Sequence, residues 1–202
     1  LLEEYLVFLV HTDLVGAKAK YAREINAILP LITKEKRVFF KNALHPILWR
    51  KNKEQNLETI SQSIELNEKQ QIIVISGPNA GGKSITLKTI GLLQLMLQSG
   101  ILIPVDERSQ TYIFDTILTD IGDNQSIENQ LSTYSYRLKN MNSFLRKCNS
   151  DTLFLIDEFG TGSDPELGGA LAEIFLEVFY ERESFGVITT HYSNLKLLAD
   201  EL

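Results

Sequence analysis

Residues Gly77-Pro78-Asn79-Ala80-Gly81-Gly82-Lys83-Ser84 match the pattern G-x-x-x-x-G-K-[ST] in full, directly after the apolar run Ile72-Ile73-Val74-Ile75. Glycines at these positions let successive backbone N–H groups curl round an anion, and a helix opening at Lys83 adds the positive end of its dipole. Lys83 offers a point charge to the β- and γ-phosphates of a nucleotide, and Ser84 a hydroxyl ligand for Mg²⁺. A strand, a glycine turn and a helix in that order predict a loop that binds a nucleoside triphosphate.

A second constellation lies further along. Leu153-Phe154-Leu155-Ile156-Asp157-Glu158 is four apolar residues followed by two carboxylates. Parallel sheets bind ligands at the carboxyl ends of their strands, so both acids are expected beside the phosphate loop, on adjacent strand tips. Asp157 then holds Mg²⁺ through its water shell, and Glu158 orients or deprotonates the attacking water. Alone, a strand ending in Asp-Glu is a weak signal; after a phosphate loop in one alternating pattern it points to hydrolysis. Ser132, within Leu131-Ser132-Thr133-Tyr134-Ser135, reads as a helix N-cap. Capping is routine for serine, and an exposed cap can equally bind a γ-phosphate, including that of a second subunit. Gly160-Thr161-Gly162-Ser163-Asp164 is a flexible loop suited to a partner surface. His191 follows Thr189-Thr190 at a strand end, where it can donate to a γ-phosphate; a structural role is the alternative for a lone histidine. His11 and His45 have no such support.

These residues need a scaffold, and the periodicity supplies one. Leu6, Val10, Leu14, Ala17, Tyr21, Ile25 and Ile28 recur at spacings of three and four, one amphipathic helix ended before Pro30. Residues 31–70 read as β-rich, with Val38-Phe39-Phe40, Ile47-Leu48-Trp49 and Ser63-Ile64-Glu65-Leu66 as strand candidates. From residue 71 strands alternate with helices, the sign of a mostly parallel, covered sheet. Ile72–Ile75, Ile101–Val105, Tyr112–Leu118, Leu153–Ile156 and Gly186–Thr190 are the strands. One helix after Lys83 buries Leu87, Ile90, Leu93 and Leu97 and ends at Gly100. A second, from Ser132, buries Tyr134, Leu138, Met141 and Leu145; a third opens at Asp164-Pro165 and runs through Leu171, Ile174 and Val178. The expected organisation is a helical arm over 1–35 and an α/β nucleotide-binding domain over 36–202.

Bulk properties narrow the class. The chain has 202 residues, 44% hydrophobic and 23% charged, with a net charge of −6. That acidic balance argues against a free-standing nucleic-acid clamp, so contact with DNA is expected mostly through sequence outside these residues. The single cysteine, Cys148, rules out a disulfide framework and fits a reducing cytoplasm. The apolar run Tyr5–Val10 is far shorter than the ~20 residues of a membrane span, and no basic segment precedes it. The abrupt ends read as those of a piece excised from a longer chain.

Gly-Pro-Asn-x-Gly-Gly-Lys-Ser, Ser132-Thr133, Asp157-Glu158, Gly160-Thr161-Gly162-Ser163-Asp164-Pro165 and Thr190-His191-Tyr192, in this order, resemble the ATPase domain of the MutS family over about residues 40–202. Leu87-Lys88-Thr89-Ile90-Gly91-Leu92-Leu93, Asp120-Ile121-Gly122-Asp123-Asn124-Gln125-Ser126-Ile127-Glu128 and Asp157-Glu158-Phe159-Gly160 are closer to its second branch, MutS two. The resemblance implies a P-loop NTPase of the ABC class, a mostly parallel sheet flanked by helices, working as a homodimer of heads with ATP and Mg²⁺. It assigns Gly77, Pro78, Asn79, Ala80, Gly81, Gly82, Lys83, Ser84 and Ile85 to the nucleotide in cis, with Asp157, Glu158 and His191. Ser132, Ser163 and Asp164 then reach the partner's nucleotide, and the N-terminal helix resembles the end of a lever arm. That branch is associated with branched DNA, restraint of recombination and, in some bacteria, collided ribosomes; mismatch repair belongs to the first branch. Residues 56–71 hold no aromatic to stack an adenine. An ABC transporter or chromosome-maintenance head would carry Leu-Ser-Gly-Gly-Gln where residues 131–135 stand, and a nucleotide-gated binding module with slow turnover is the other rival.

Overall fold

Strands β4 (Ile72–Ser76), β8 (Phe185–Thr190), β7 (Thr152–Ile156) and β6 (Thr116–Asp120) lie side by side in that order, every pair parallel. The computed structural model describes residues 2–77, 82–122, 130–160 and 165–201, with backbone alone for Gln130–Tyr136 and Pro165–Glu166. Both interior strands are buried along their whole length, whereas β4 and β6 are mostly half-buried. Continuous apolar runs take the interior of a parallel sheet because both faces are covered there. The loop-bearing strand β4 and the acid-bearing strand β7 are therefore not neighbours, contrary to the adjacent tips expected. β8 is interposed, because its six buried residues need a partner on each side.

Side chains divide the sheet into two layers by their two-residue alternation. Leu153, Leu155, Phe185 and Val187 pack with Leu87, Ile90 and Leu93 of α3 (Lys83–Gln98) and with a second sheet. Phe154, Ile156 and Ile188 pack on the other face with α4 (Gln130–Lys147), α5 (Pro165–Glu181) and α6 (Ser193–Glu201). The second sheet orders β1 (Leu31–Ile32), β5 (Gln110–Thr111), β2 (Val38–Ala43) and β3 (Gln62–Leu66), with β2 antiparallel to both its neighbours.

Several elements depart from the sequence reading. Ile47-Leu48-Trp49 is helical, inside α2 (Pro46–Glu54), because Pro46 sits in the first turn and His45 Nδ1 accepts from Leu48 N–H at 3.3 Å. Ile101–Val105 is not a strand; Ile103 alone bridges to Ile28. Tyr112–Leu118 splits, since the chain there leaves one sheet for the other. Two helical glutamines replace the missing ladder: Gln94 Nε2 donates to Tyr112 O at 2.8 Å and Gln98 Nε2 to Phe114 O at 2.9 Å. Helix α3 ends in a Schellman turn, with Gly100 at φ +68° and Ile101 N–H donating to Met96 O at 2.9 Å. In α5 the buried stripe is Ala172, Leu176 and Phe179, shifted from Leu171, Ile174 and Val178. Helix α1 (Leu2–Glu24) is not amphipathic toward this core. Tyr5 to Val10 are all 61–69% exposed, and packing against the core begins at Tyr21, continuing through Ala22, Ile25 and Ile28. No helix among the described residues is long and apolar enough to cross a membrane.

Two outcomes follow from this packing. A Cβ at Gly186 would stand 2.2 Å from Phe154 Cε2 and Cζ, and that ring is held against Phe179 at 4.5 Å between centroids. Gly186→Ala is therefore expected to destabilise the fold by about 1–3 kcal/mol in urea unfolding, and an unchanged midpoint would contradict this packing. Burial, with the Lys88 cation as a lesser cause, pushes the His45 imidazole below its ordinary value. The folded state then resists protonation, so the stability contributed by His45 is complete above the unfolded value of about 6.5 and is lost as pH falls below it. His45→Asn keeps a capping acceptor and should flatten that part of the stability–pH curve; an unchanged slope would show that His45 is not its source.

Candidate functional site

Carrying the alternation past Leu155 and Val187 puts Asp157 and Thr189 on the face that α3 covers, at the carboxyl end of the sheet. The N-terminus of α3 reaches them because α3 crosses β8 and settles on β7. Gly91 permits this approach: a Cβ there would stand 2.4 Å from Leu155 Cδ1. Ser84 Oγ donates to Asp157 Oδ1 at 3.0 Å, and Thr189 Oγ1 donates to the same oxygen. From the far side, Asp157 N–H donates to Asp120 O at 2.9 Å, at the tip of β6.

Glu158 breaks the strand. Its φ is +53°, a left-handed conformation that costs a non-glycine residue about 1 kcal/mol or more and persists only when its surroundings hold it. Glu158 N–H donates to Thr189 Oγ1 at 2.8 Å, and its carbonyl accepts from Arg137 NH1 at 3.0 Å. Phe159 N–H donates to Thr189 O at 2.8 Å. Beyond the turn Gly160 has φ +86°, and a Cβ there would meet Tyr192 Cε2 at 2.7 Å and Gly168 O at 3.0 Å. Tyr192 OH donates to Gly160 O at 3.1 Å. Both the dihedral and the space demand glycine at position 160.

Lys83 is 5% exposed, and its Nζ donates to the carbonyl of Gly77, the first residue of the loop. Gly77 and Gly82 have φ of +141° and +80°, and a Cβ at either would meet nothing within 4 Å. Ile85 is half-buried in the first turn of α3, and His191 is exposed one residue beyond β8. Pro78, Asn79, Ala80, Gly81, Ser163 and Asp164 lie outside the described residues. Ser132 falls inside the first turn of α4 rather than ahead of it as a cap, and its side chain is likewise outside the described residues. Among the described residues, Gln130 and Leu131 ahead of it are already helical.

The donor set suits Mg²⁺. A serine hydroxyl has one proton and two lone pairs, so donating to Asp157 leaves its lone pairs for a hard cation. Mg²⁺ takes few protein oxygens and completes its shell with water and substrate phosphate. The sequence reading singled out neither Thr189 nor Arg137. For Thr189 the signal existed: its two-residue spacing from Phe185 and Val187 sets it on the Asp157 face. For Arg137 there was none. Cys148 is a buried thiol just past α4, pushed by burial to a pKa of about 11 and so held in the unreactive form.

Residues 73–202 match the family model described as MutS domain V. The chain is 48% identical over 187 residues to the Endonuclease MutS2 of Finegoldia magna, covering 93% of this chain and 23% of that protein. It is 45% identical over 185 residues to the protein of the same name from Enterococcus faecalis, covering 92% and 23%. For that of Caldicellulosiruptor saccharolyticus the figures are 43% over 193 residues, 96% and 24%. The chain thus spans about a quarter of the length of the curated relatives it matches.

Removing the hydroxyl that joins Asp157 to the Glu158 turn should be felt in stability. Thr189→Val keeps the shape but leaves the half-buried Glu158 N–H and Asp157 Oδ1 without this partner, an expected loss of about 1–3 kcal/mol, whereas Thr189→Ser should stay near wild type. Equal unfolding midpoints for the two variants would show that the hydroxyl does not hold the turn.

Proposed function

This chain belongs to the MutS family, as a domain V of its MutS2 branch, and on that premise we propose that it is an ATP-hydrolysing head of the ABC class. The observation that carries the proposal is the hydrogen bond of 3.0 Å from Ser84, the residue after Lys83, to Asp157. It joins the end of the phosphate loop to the tip of the acid-bearing strand, where a metal-bound triphosphate needs both. Mg²⁺, when bound, spreads the charge that develops on the β- and γ-phosphates. Ser84 and Asp157 hold that ion, directly or through water. Lys83 exchanges the Gly77 carbonyl for phosphate oxygen and, with the backbone N–H groups of Gly77 and of residues 79–84, steadies the transferring group. Glu158 orients the attacking water and takes its proton, as the oxygen bonds to the γ-phosphorus and the bond to the β-bridging oxygen breaks. ADP and phosphate leave. His191 donates to the γ-phosphate from beyond β8.

The second half of the site comes from another copy of the chain. Ser132, at the start of α4, and Ser163 and Asp164, ahead of α5, contact the partner's nucleotide across a dimer of heads. The exposed apolar residues of α1 pass the resulting motion to DNA-holding parts of the protein, as the end of a lever. Relatives carry the name endonuclease, which supports a role in DNA processing. Opening and closing of the dimer on branched or mismatched DNA is the use we assign to the ATP cycle.

Glu158→Gln tests this most simply. It should bind ATP with Mg²⁺ within about twofold of wild type, lose at least about 100-fold in phosphate release, and elute as a nucleotide-trapped dimer. Wild-type turnover in this variant would remove the role given to Glu158.

A further inference from the structure

Arg137 is the part of the Glu158 turn that belongs to no strand. We propose that Arg137 is a positioning residue for Glu158. Through it, hydrolysis in this site is tied to the placement of α4, and so to the nucleotide of a second copy of the chain. The inference rests on the roles proposed above for Glu158 and Ser132.

Three observations carry it. The left-handed Glu158 is held by Thr189 on one side, through its hydroxyl to Glu158 N–H and its carbonyl to Phe159 N–H. Thr189 sits in the fully buried β8 and moves only with the sheet. The third clamp, Arg137 NH1 on the Glu158 carbonyl at 3.0 Å, comes from α4 and moves with that helix. The second observation concerns the mounting of α4. Its C-terminal half is sunk in the core through Met141 and Phe144, and Cys148 follows it there. Further toward its start, Arg137 and Leu138 border, together with Met141, a cavity of about 40 Å³ that also touches Asp157, Phe159 and Gly160. Close packing transmits and resists displacement, whereas a void lets one end of a helix shift. The third is distance along the helix. Ser132 and Arg137 lie on one continuous α4, about 7.5 Å apart along its axis, so a shift at the partner-facing end reaches Arg137 undiminished.

The consequence is a coupling within one helix. A γ-phosphate drawn to the start of α4 seats Arg137 on the Glu158 carbonyl, which sets the turn and aims the carboxylate. With α4 displaced, the turn loosens and the carboxylate misses the water. A misplacement of about 1 Å in a catalytic group is enough for a loss of about 100-fold.

The test compares Arg137→Met and Arg137→Lys with the unaltered chain and with Glu158→Gln. Affinity for a fluorescent ATP analogue with Mg²⁺, thermal midpoint, kcat, KM and single-turnover rate at several protein concentrations are read for each. Arg137→Met is expected to keep Kd and KM within about twofold, melt near wild type, and lose about 10- to 100-fold in kcat. Its residual rate should no longer rise with protein concentration, a response that a merely structural role would leave in place. Arg137→Lys keeps one donor without the planar fork and should recover part of the rate. An unchanged kcat in folded Arg137→Met, or a residual rate that climbs with concentration as steeply as wild type, overturns the proposal. Should Arg137→Met fail to fold, Arg137→Lys decides: a loss of about threefold or more in kcat at constant KM supports it, and an unchanged kcat overturns it. Wild-type turnover in Glu158→Gln would instead bring down the reading beneath the proposal, and is recognisable because it does not involve Arg137.

Discussion

One carboxylate oxygen, Asp157 Oδ1, accepts hydrogen bonds from two hydroxyls, and those bonds join three separate stretches of chain. Ser84 comes from the opening of α3, Thr189 from the interior strand β8, and Asp157 from the tip of β7. None is near another in sequence. Each is brought in by apolar packing below it: Leu155 against Gly91, Val187 and Phe185 against the α3 layer. Asp157 is half-buried, and without these donors its carboxylate would lose two hydrogen bonds, so the sheet and the site stabilise each other. The same Thr189 hydroxyl then accepts from Glu158 N–H, which makes one side chain responsible for both acids.

The interposition of β8 gives the site its width. Strands in a sheet lie about 4.8 Å apart, so the tips of β4 and β7 are separated by about 10 Å. A phosphate loop on one and a carboxylate on the other leave a gap that α3 must bridge, and Lys83 and Ser84 at its first turn do so.

The chemistry was more legible in the sequence than the geometry. Phosphate binding needs glycines, a lysine and a hydroxyl at fixed spacing, so Gly77–Ser84 stood out whatever the fold did around it. Asp157 and Glu158 were visible because charges directly after four apolar residues must lie at a strand end. Strand order was not visible, since sequence neighbours do not dictate sheet neighbours. Nor was the left-handed turn at Glu158, which is imposed by Thr189 and Arg137 from distant segments. Ile47-Leu48-Trp49 shows the limit of short apolar runs: three residues fit either period, and the choice fell to His45 and Pro46 just before them. Residues 5–10 show the opposite failure. Their pattern was read as a stripe, yet apolar residues surround α1 and face no core within the described residues.

The central claim is that Ser84 and Asp157 grip one metal-bound triphosphate across β8. A crystal structure with a non-hydrolysable ATP analogue and Mg²⁺ tests it most directly. The account predicts a triphosphate in the Gly77–Ser84 loop, the metal on the Ser84 hydroxyl beside Asp157, and the Glu158 carboxylate facing the γ-phosphate. Nucleotide bound elsewhere, or a metal held without either residue, would contradict it.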